Sequence, residues 1–169
     1  MTDGMEGLAL AEHYKLLEGE ISKRMDCCSV SRRVLELPSK LCGVLGMKAD
    51  MGIRLKKAYD SADGEMLSFI VDQEIPELLV RLEELQETHY KLWMNAYKSF
   101  GWEVLDLRYG GVIARLKTVK NRVSLYLSGD ITELEELVEE RLYFDDRARR
   151  GTVTDYFTAY HRMATPNIY

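Results

Sequence analysis

The segment YKLWMNAYKSFGWEVLDLRYGG, residues 90–111, decides how this chain is read. Both tryptophans, Trp93 and Trp102, fall inside it. Running into it, Ile75, Leu78, Leu82, Leu85, His89, Leu92 and Ala96 recur in steps of three and four. Running out of it, Trp102, Leu105, Tyr109, Val112, Leu116, Val119, Val123 and Tyr126 do the same. This is the period of a helix with one apolar stripe. Ser99-Phe100-Gly101 interrupts the period, so the spacing predicts two long helices joined by a short corner. Helices so joined lie antiparallel and pack together.

Working outward, the same period continues on both sides. Leu10, Tyr14, Leu17, Ile21, Cys28 and Leu35 form a first stripe, which Pro38 is expected to break or kink. A second stripe runs through Leu41, Val44, Met51, Leu55 and Ala58 to the turn signal Ser61-Ala62-Asp63-Gly64. Asp63 is placed to cap a short helix carrying Met66, Leu67, Ile70 and Val71. Pro76 suits the first turn of the next helix, where its missing N–H is harmless. Gly110 and Gly111 weaken a helix by about 1 kcal/mol each relative to alanine. The expected return is close approach of a neighbouring backbone or a bulky side chain. Asp130 and Thr132, each with a glutamate three residues on, offer capping boxes for a short helix through Leu134, Leu137 and Val138. Residues 141–152 read as charged and irregular, and Val153–Met163 as one more short helix that Pro166 stops. No strand-like alternation of useful length occurs. The fold expected is all-α: an up-and-down bundle of long antiparallel helices with short terminal helices. The bundle domain is expected over residues 1–145, with a tail over 146–169.

Composition excludes several classes. A chain of 169 residues with a net charge of −5 is large enough for a real core and too acidic for a typical nucleic-acid module. No apolar run reaches the ~20 residues that span a bilayer, and residues 1–7 carry no secretion signal. Three cysteines, with no CxxC pair and Cys27 adjacent to Cys28, fit reduced thiols better than a disulfide framework. A cytoplasmic location is therefore expected.

The chemistry-bearing residues are sparse. Glu83/Glu84, Glu135/Glu136 and Glu139/Glu140 are adjacent pairs, which on a helix diverge by about 100° and so serve solvation rather than acid–base work. His13, His89 and His161 are scattered, and no metal-ligand spacing, P-loop, GxSxG or GxGxxG occurs. No cofactor or metal is expected. His89 lies on an apolar seam, where a histidine hydrogen-bonded across the bundle is the plainer reading. The Phe-Gly-Trp corner stands apart, because aromatic anchors dominate interfaces.

The segment resembles the C-terminal helical domain of family 20 glycoside hydrolases, the β-N-acetylhexosaminidases, in their bacterial branch. The matching wording is Leu92-Trp93, then Phe100-Gly101-Trp102-Glu103, then Asp106, Arg108 and Gly110-Gly111, followed by a helix with a glutamate-rich end. The upstream RRVLEL and LGMKADMGIRLKKAYDSAD are similar to that domain's earlier helices, while Pro38 and Cys27-Cys28 depart from them. The resemblance covers roughly residues 10–145. It implies a parent enzyme that removes terminal N-acetylglucosamine or N-acetylgalactosamine, using the substrate's own acetamide as nucleophile and an Asp-Glu pair on a TIM barrel. Such a barrel needs about 250 residues. This chain is too short for one and contains no Asp-Glu dipeptide, so alone it is expected to be inactive. The resemblance implies an accessory role: supporting the catalytic barrel, forming a homodimer, and lending side chains to a substrate rim. Trp93, Phe100, Trp102, Glu103, Asp106, Arg108 and Tyr109 are the candidates for that surface. Arg108 is expected to pair with Asp106 or Glu103, or to face a partner carboxylate, and Trp102 is expected to matter more for turnover or dimerisation than for melting temperature. The competing reading is a standalone helical protein–protein interaction module; a small-molecule sensor built around His89 ranks last.

Overall fold

A computed structural model describes residues 8–27 and 29–139. The expected tail, with its short helix over Val153–Met163, lies outside the described residues. Among these residues every regular element is helical. The order is α1 (Leu10–Cys27), α2 (Ser29–Lys48), α3 (Met51–Asp60), α4 (Gly64–Phe69), a π turn (Ile70–Glu74), α5 (Ile75–Ala96), α6 (Trp102–Ser128) and α7 (Glu135–Val138).

The long helices alternate in direction. α1 packs along α2, α2 along α5, and α5 along α6, while α3 and α4 close one end. The α1–α2 hairpin is tight because Gly43 and Gly46 line its seam. A Cβ on Gly46 would meet the Lys15 side chain at 3.0 Å, and one on Gly43 would meet Glu18 Oε1 at 2.6 Å. Through that gap Glu18 reaches toward Arg81 of α5, 3.7 Å away, while Arg81 also chelates Glu77.

One proline expectation is corrected and one is met. α2 continues through Pro38 without a break. The ring removes one hydrogen bond to the carbonyl of Val34. Both residues are exposed, so water can donate to that carbonyl in place of the missing N–H. α1 ends at Cys27 and α2 begins at Ser29. Pro76 stands in the first turn of α5, as expected, though that helix follows directly on the turn before it. α4, the π turn and α5 form one continuous rod, Gly64 to Ala96. A proline inside a helix clashes with the carbonyl four residues back. Here the preceding turn widens, with the Ile75 N–H donating to the Ile70 carbonyl, and the rod absorbs the ring without ending.

The core lies where these elements converge. Leu67, Ile70, Val71, Ile75, Leu78 and Val123 are essentially sealed from solvent, and Val44, Leu55, Leu82, Leu85 and Leu116 extend the cluster. Asp63 caps α4 as its position predicts, accepting from the Met66 N–H at 3.0 Å. Neither capping box before α7 forms. That helix starts later, at Glu135, with no side-chain cap; its N-terminus is fixed by the Leu134 N–H donating to the Tyr59 hydroxyl at 3.1 Å. An Arg122–Glu136 ion pair at 2.9 Å ties α7 to α6.

Candidate functional site

The α5–α6 corner is built by its own backbone needs. Tyr97 takes an extended conformation and ends α5, its N–H reaching the Trp93 carbonyl. The Trp93 indole N–H then donates to the Lys98 carbonyl at 2.9 Å and clamps the loop. Gly101 sits at φ +93°, a left-handed conformation that favours glycine. The space beside it is also taken: a Cβ there would lie 3.4 Å from the Trp93 ring. Its N–H donates to Glu103 Oε2 at 2.8 Å. Glu103 thus supplies a carboxylate at the first turn of α6, where unpaired amides and the helix dipole favour negative charge.

Behind the loop stands an aromatic cluster. Trp102 is 6% exposed and packs with ring centroids 5.2 Å from Tyr90, 5.4 Å from His89 and 6.1 Å from Trp93. His89 Nδ1 and the Tyr109 hydroxyl are 3.0 Å apart across the α5–α6 seam. Partial burial lowers the His89 pKa below that of a free imidazole and raises that of Tyr109. Both groups are thereby held neutral near pH 7, as a hydrogen bond between uncharged partners requires.

The sequence candidates divide sharply. Trp93, Trp102 and Tyr109 come together in the cluster around His89. Phe100 stands apart, 82% exposed at the tip. Glu103 caps α6, and Asp106 accepts from Gln86 of α5 at 3.3 Å. Arg108 is exposed and pairs with neither Asp106 nor Glu103. Truncating Trp102 therefore removes packing, and the aromatic surface open to a partner lies on Phe100 and Tyr97. Tyr97, 67% exposed with its ring 5.0 Å from Trp93, belongs to this site although the sequence reading left it out. Its signal was present: it stands four residues after Trp93. Tyr90, Leu92 and Val104 add further exposed apolar surface at the same end.

Elsewhere, a cleft of about 340 Å³ lies between α1, α2 and α5, lined by Glu18, Lys40, Glu77, Arg81 and Glu84 around Gly43. Its charges are largely consumed by one another, through Arg81–Glu77 and Lys40–Glu84. Among the described residues no cluster of three or more His, Cys, Asp or Glu side chains has the arrangement of a metal site. No helix there is long and apolar enough to cross a membrane.

The family model described as Glycoside Hydrolase 20C C-terminal domain matches residues 2–154, and the chain belongs to that family. It is a C-terminal domain of a multidomain glycoside hydrolase, whose other domains are its natural neighbours. Comparison with curated proteins gives no significant match.

Proposed function

We propose that this chain is the non-catalytic helical domain of a β-N-acetylhexosaminidase acting on terminal N-acetylglucosamine or N-acetylgalactosamine, and that its α5–α6 corner docks on the catalytic barrel. The observation carrying this reading is the concentration of exposed apolar side chains at the corner, above all Tyr97 and Phe100, on a loop braced by Trp93 and Gly101. A braced loop presents its anchors without a large ordering cost, which favours docking. Family membership supports a parent with further domains for that corner to meet. The reading also includes a homodimer of the parent and a reducing, cytoplasmic location, with which the buried free thiol of Cys42 is compatible.

An immunoblot of source cells with antibody against this chain tests the reading. A band several-fold above 19.5 kDa that co-purifies with release of 4-nitrophenol from its N-acetyl-β-glucosaminide supports it. A band near 19.5 kDa, with no associated hexosaminidase activity, supports a standalone interaction module instead. Within the larger protein, Phe100→Ser is expected to loosen the domain from the barrel, seen as faster limited proteolysis between them.

A further inference from the structure

α6 is charged differently from the rest of the chain. The net charge of the chain is −5, yet from Arg108 to Ser128 there are five cations (Arg108, Arg115, Lys117, Lys120 and Arg122) and no acidic residue. Arg108, Arg115 and Arg122 stand seven apart. Residues so spaced return to the same side of a helix within about 20° per step. The far end of that row is answered inside the chain. Arg122 donates twice to Glu136 of α7, at 2.9 and 3.1 Å. The Glu136 carboxyl is held below its ordinary range, first by that hydrogen bonding and also by the charge of Arg115. Arg108, at the near end, is exposed and has no partner among the described residues. The two carboxylates closest to it in the chain are engaged elsewhere, Glu103 with the Gly101 N–H and Asp106 with Gln86.

Arg108 also borders exposed apolar surface. Leu107 is 74% exposed, Val104 is exposed, and the exposed Phe100 stands just ahead of the same helix. On a helix, residues three and four apart are neighbours, so Val104, Leu107, Arg108 and Gly111 form one contiguous patch. A guanidinium at the edge of an apolar patch is best met by a carboxylate, which it can grip with two parallel hydrogen bonds. We propose that the surface covering this patch belongs to the catalytic domain of the parent enzyme, and that it is an apolar hollow edged by an aspartate or glutamate that pairs with Arg108. The inference rests on the α5–α6 corner docking on that domain, and it names the chemistry that the corner meets. The chain itself supplies the precedent, since Glu136 answers Arg122 of the same row. Charge also selects the occupant. A second copy of the patch, meeting it across a two-fold axis, would set one basic row against another.

Two measurements on the full-length parent enzyme test the assignment. A carbodiimide condenses an amine with a carboxylate in contact with it. In Arg108→Lys, peptide mass spectrometry is expected to find position 108 joined to an aspartate or glutamate of the catalytic domain. Arg108→Glu sets like charges against each other, and limited proteolysis between the domains is expected to quicken at least about ten-fold. Arg108→Lys, which keeps the charge, is expected to be cleaved at a rate between that of Arg108→Glu and that of wild type. Neither change is expected to alter the thermal unfolding of this chain, within which Arg108 holds nothing. The proposal is overturned if the cross-link is missing, if it joins two copies of this domain, or if Arg108→Glu is cleaved at the wild-type rate. Phe100→Ser then separates the causes. Fast cleavage of that variant keeps the docked corner and removes only its acidic partner, whereas wild-type cleavage of both variants removes the docking as well.

Discussion

The two ends of α5 use apolar side chains in opposite ways. At its N-terminal end Ile75 and Leu78 join Leu67, Ile70 and Val71 in a sealed core. At its C-terminal end Tyr97 and Phe100 project into solvent although equally apolar residues and a braced loop lie beside them. Nothing in the helix period separates the two ends. What separates them is the company. The first end lies in a core shared by α2, α3, α4 and α6, and the second packs, among the described residues, against the start of α6. Apolar area covered within the chain stabilises it by about 25 cal/mol per Å². The same area left uncovered costs solubility and is useful only to a partner.

The sharpest way to break that comparison is to damage the sealed end. Leu78→Ala is expected to cost about 2–5 kcal/mol, the range for burying a cavity in a packed core. Urea unfolding followed by circular dichroism reads this as a lower midpoint with an unchanged slope. A loss below about 1 kcal/mol would mean that the core is looser than its burial implies.

Trp102 is the test of where the boundary lies. It sits at the corner but belongs with the core, 6% exposed and ringed by His89, Tyr90 and Trp93. Trp102→Ala is expected to cost about 3 kcal/mol of stability. If the melting temperature holds while docking or dimerisation of the parent enzyme fails, the cluster is part of the interface and the boundary drawn here moves inward.

Gly101→Ala has a smaller expected effect, about 1–2 kcal/mol, because alanine must enter the left-handed region and its Cβ comes 3.4 Å from the Trp93 ring. Circular dichroism melting checks it. A neutral result would show that the loop relaxes freely and that the corner is not braced.

Smaller again is the pH dependence of the seam. Burial holds the His89 pKa below its unfolded value near 6.5. The unfolded chain therefore binds the proton first as pH falls. The contribution of neutral His89, bonded to Tyr109, is complete above about pH 6.5 and is lost as pH drops through the lower folded value. Wild type is expected to lose stability from pH 6.5 to 5 more steeply than His89→Gln. Parallel curves for the two would remove His89 from the account.

The sequence displayed the helices because their apolar stripes repeat every three to four residues, and the corner because Gly101 and the interrupted period coincide. It misplaced the break at Pro38, and did not show that α4 runs on into α5 ahead of Pro76, because a proline's cost depends on where the freed carbonyl points and whether the previous turn can widen. Those are properties of neighbours and solvent, not of the residue. Trp102 and Phe100 were equally plausible surface aromatics in the string. Their separation, one inside and one out, follows from the left-handed turn at Gly101, which starts α6 so that Trp102 faces α5. Glu103 was legible as a charge but not as a cap for an amide two residues before it.

The smallest effect on stability is expected at the most exposed residue, and there it is most informative. Phe100 is 82% exposed and makes no ring contact with the cluster behind it. Its replacement by serine removes little buried area, so the isolated chain is expected to unfold within about 0.5 kcal/mol of wild type. If the corner docks, the same change removes an aromatic anchor from an interface, where truncating such a residue costs about 2 kcal/mol or more. A 2 kcal/mol loss is roughly thirty-fold in affinity. A variant as stable as wild type whose parent enzyme nonetheless loses the contact between domains would place Phe100 on the partner's side of the comparison. One that is destabilised in isolation would place it with Trp102, in the core.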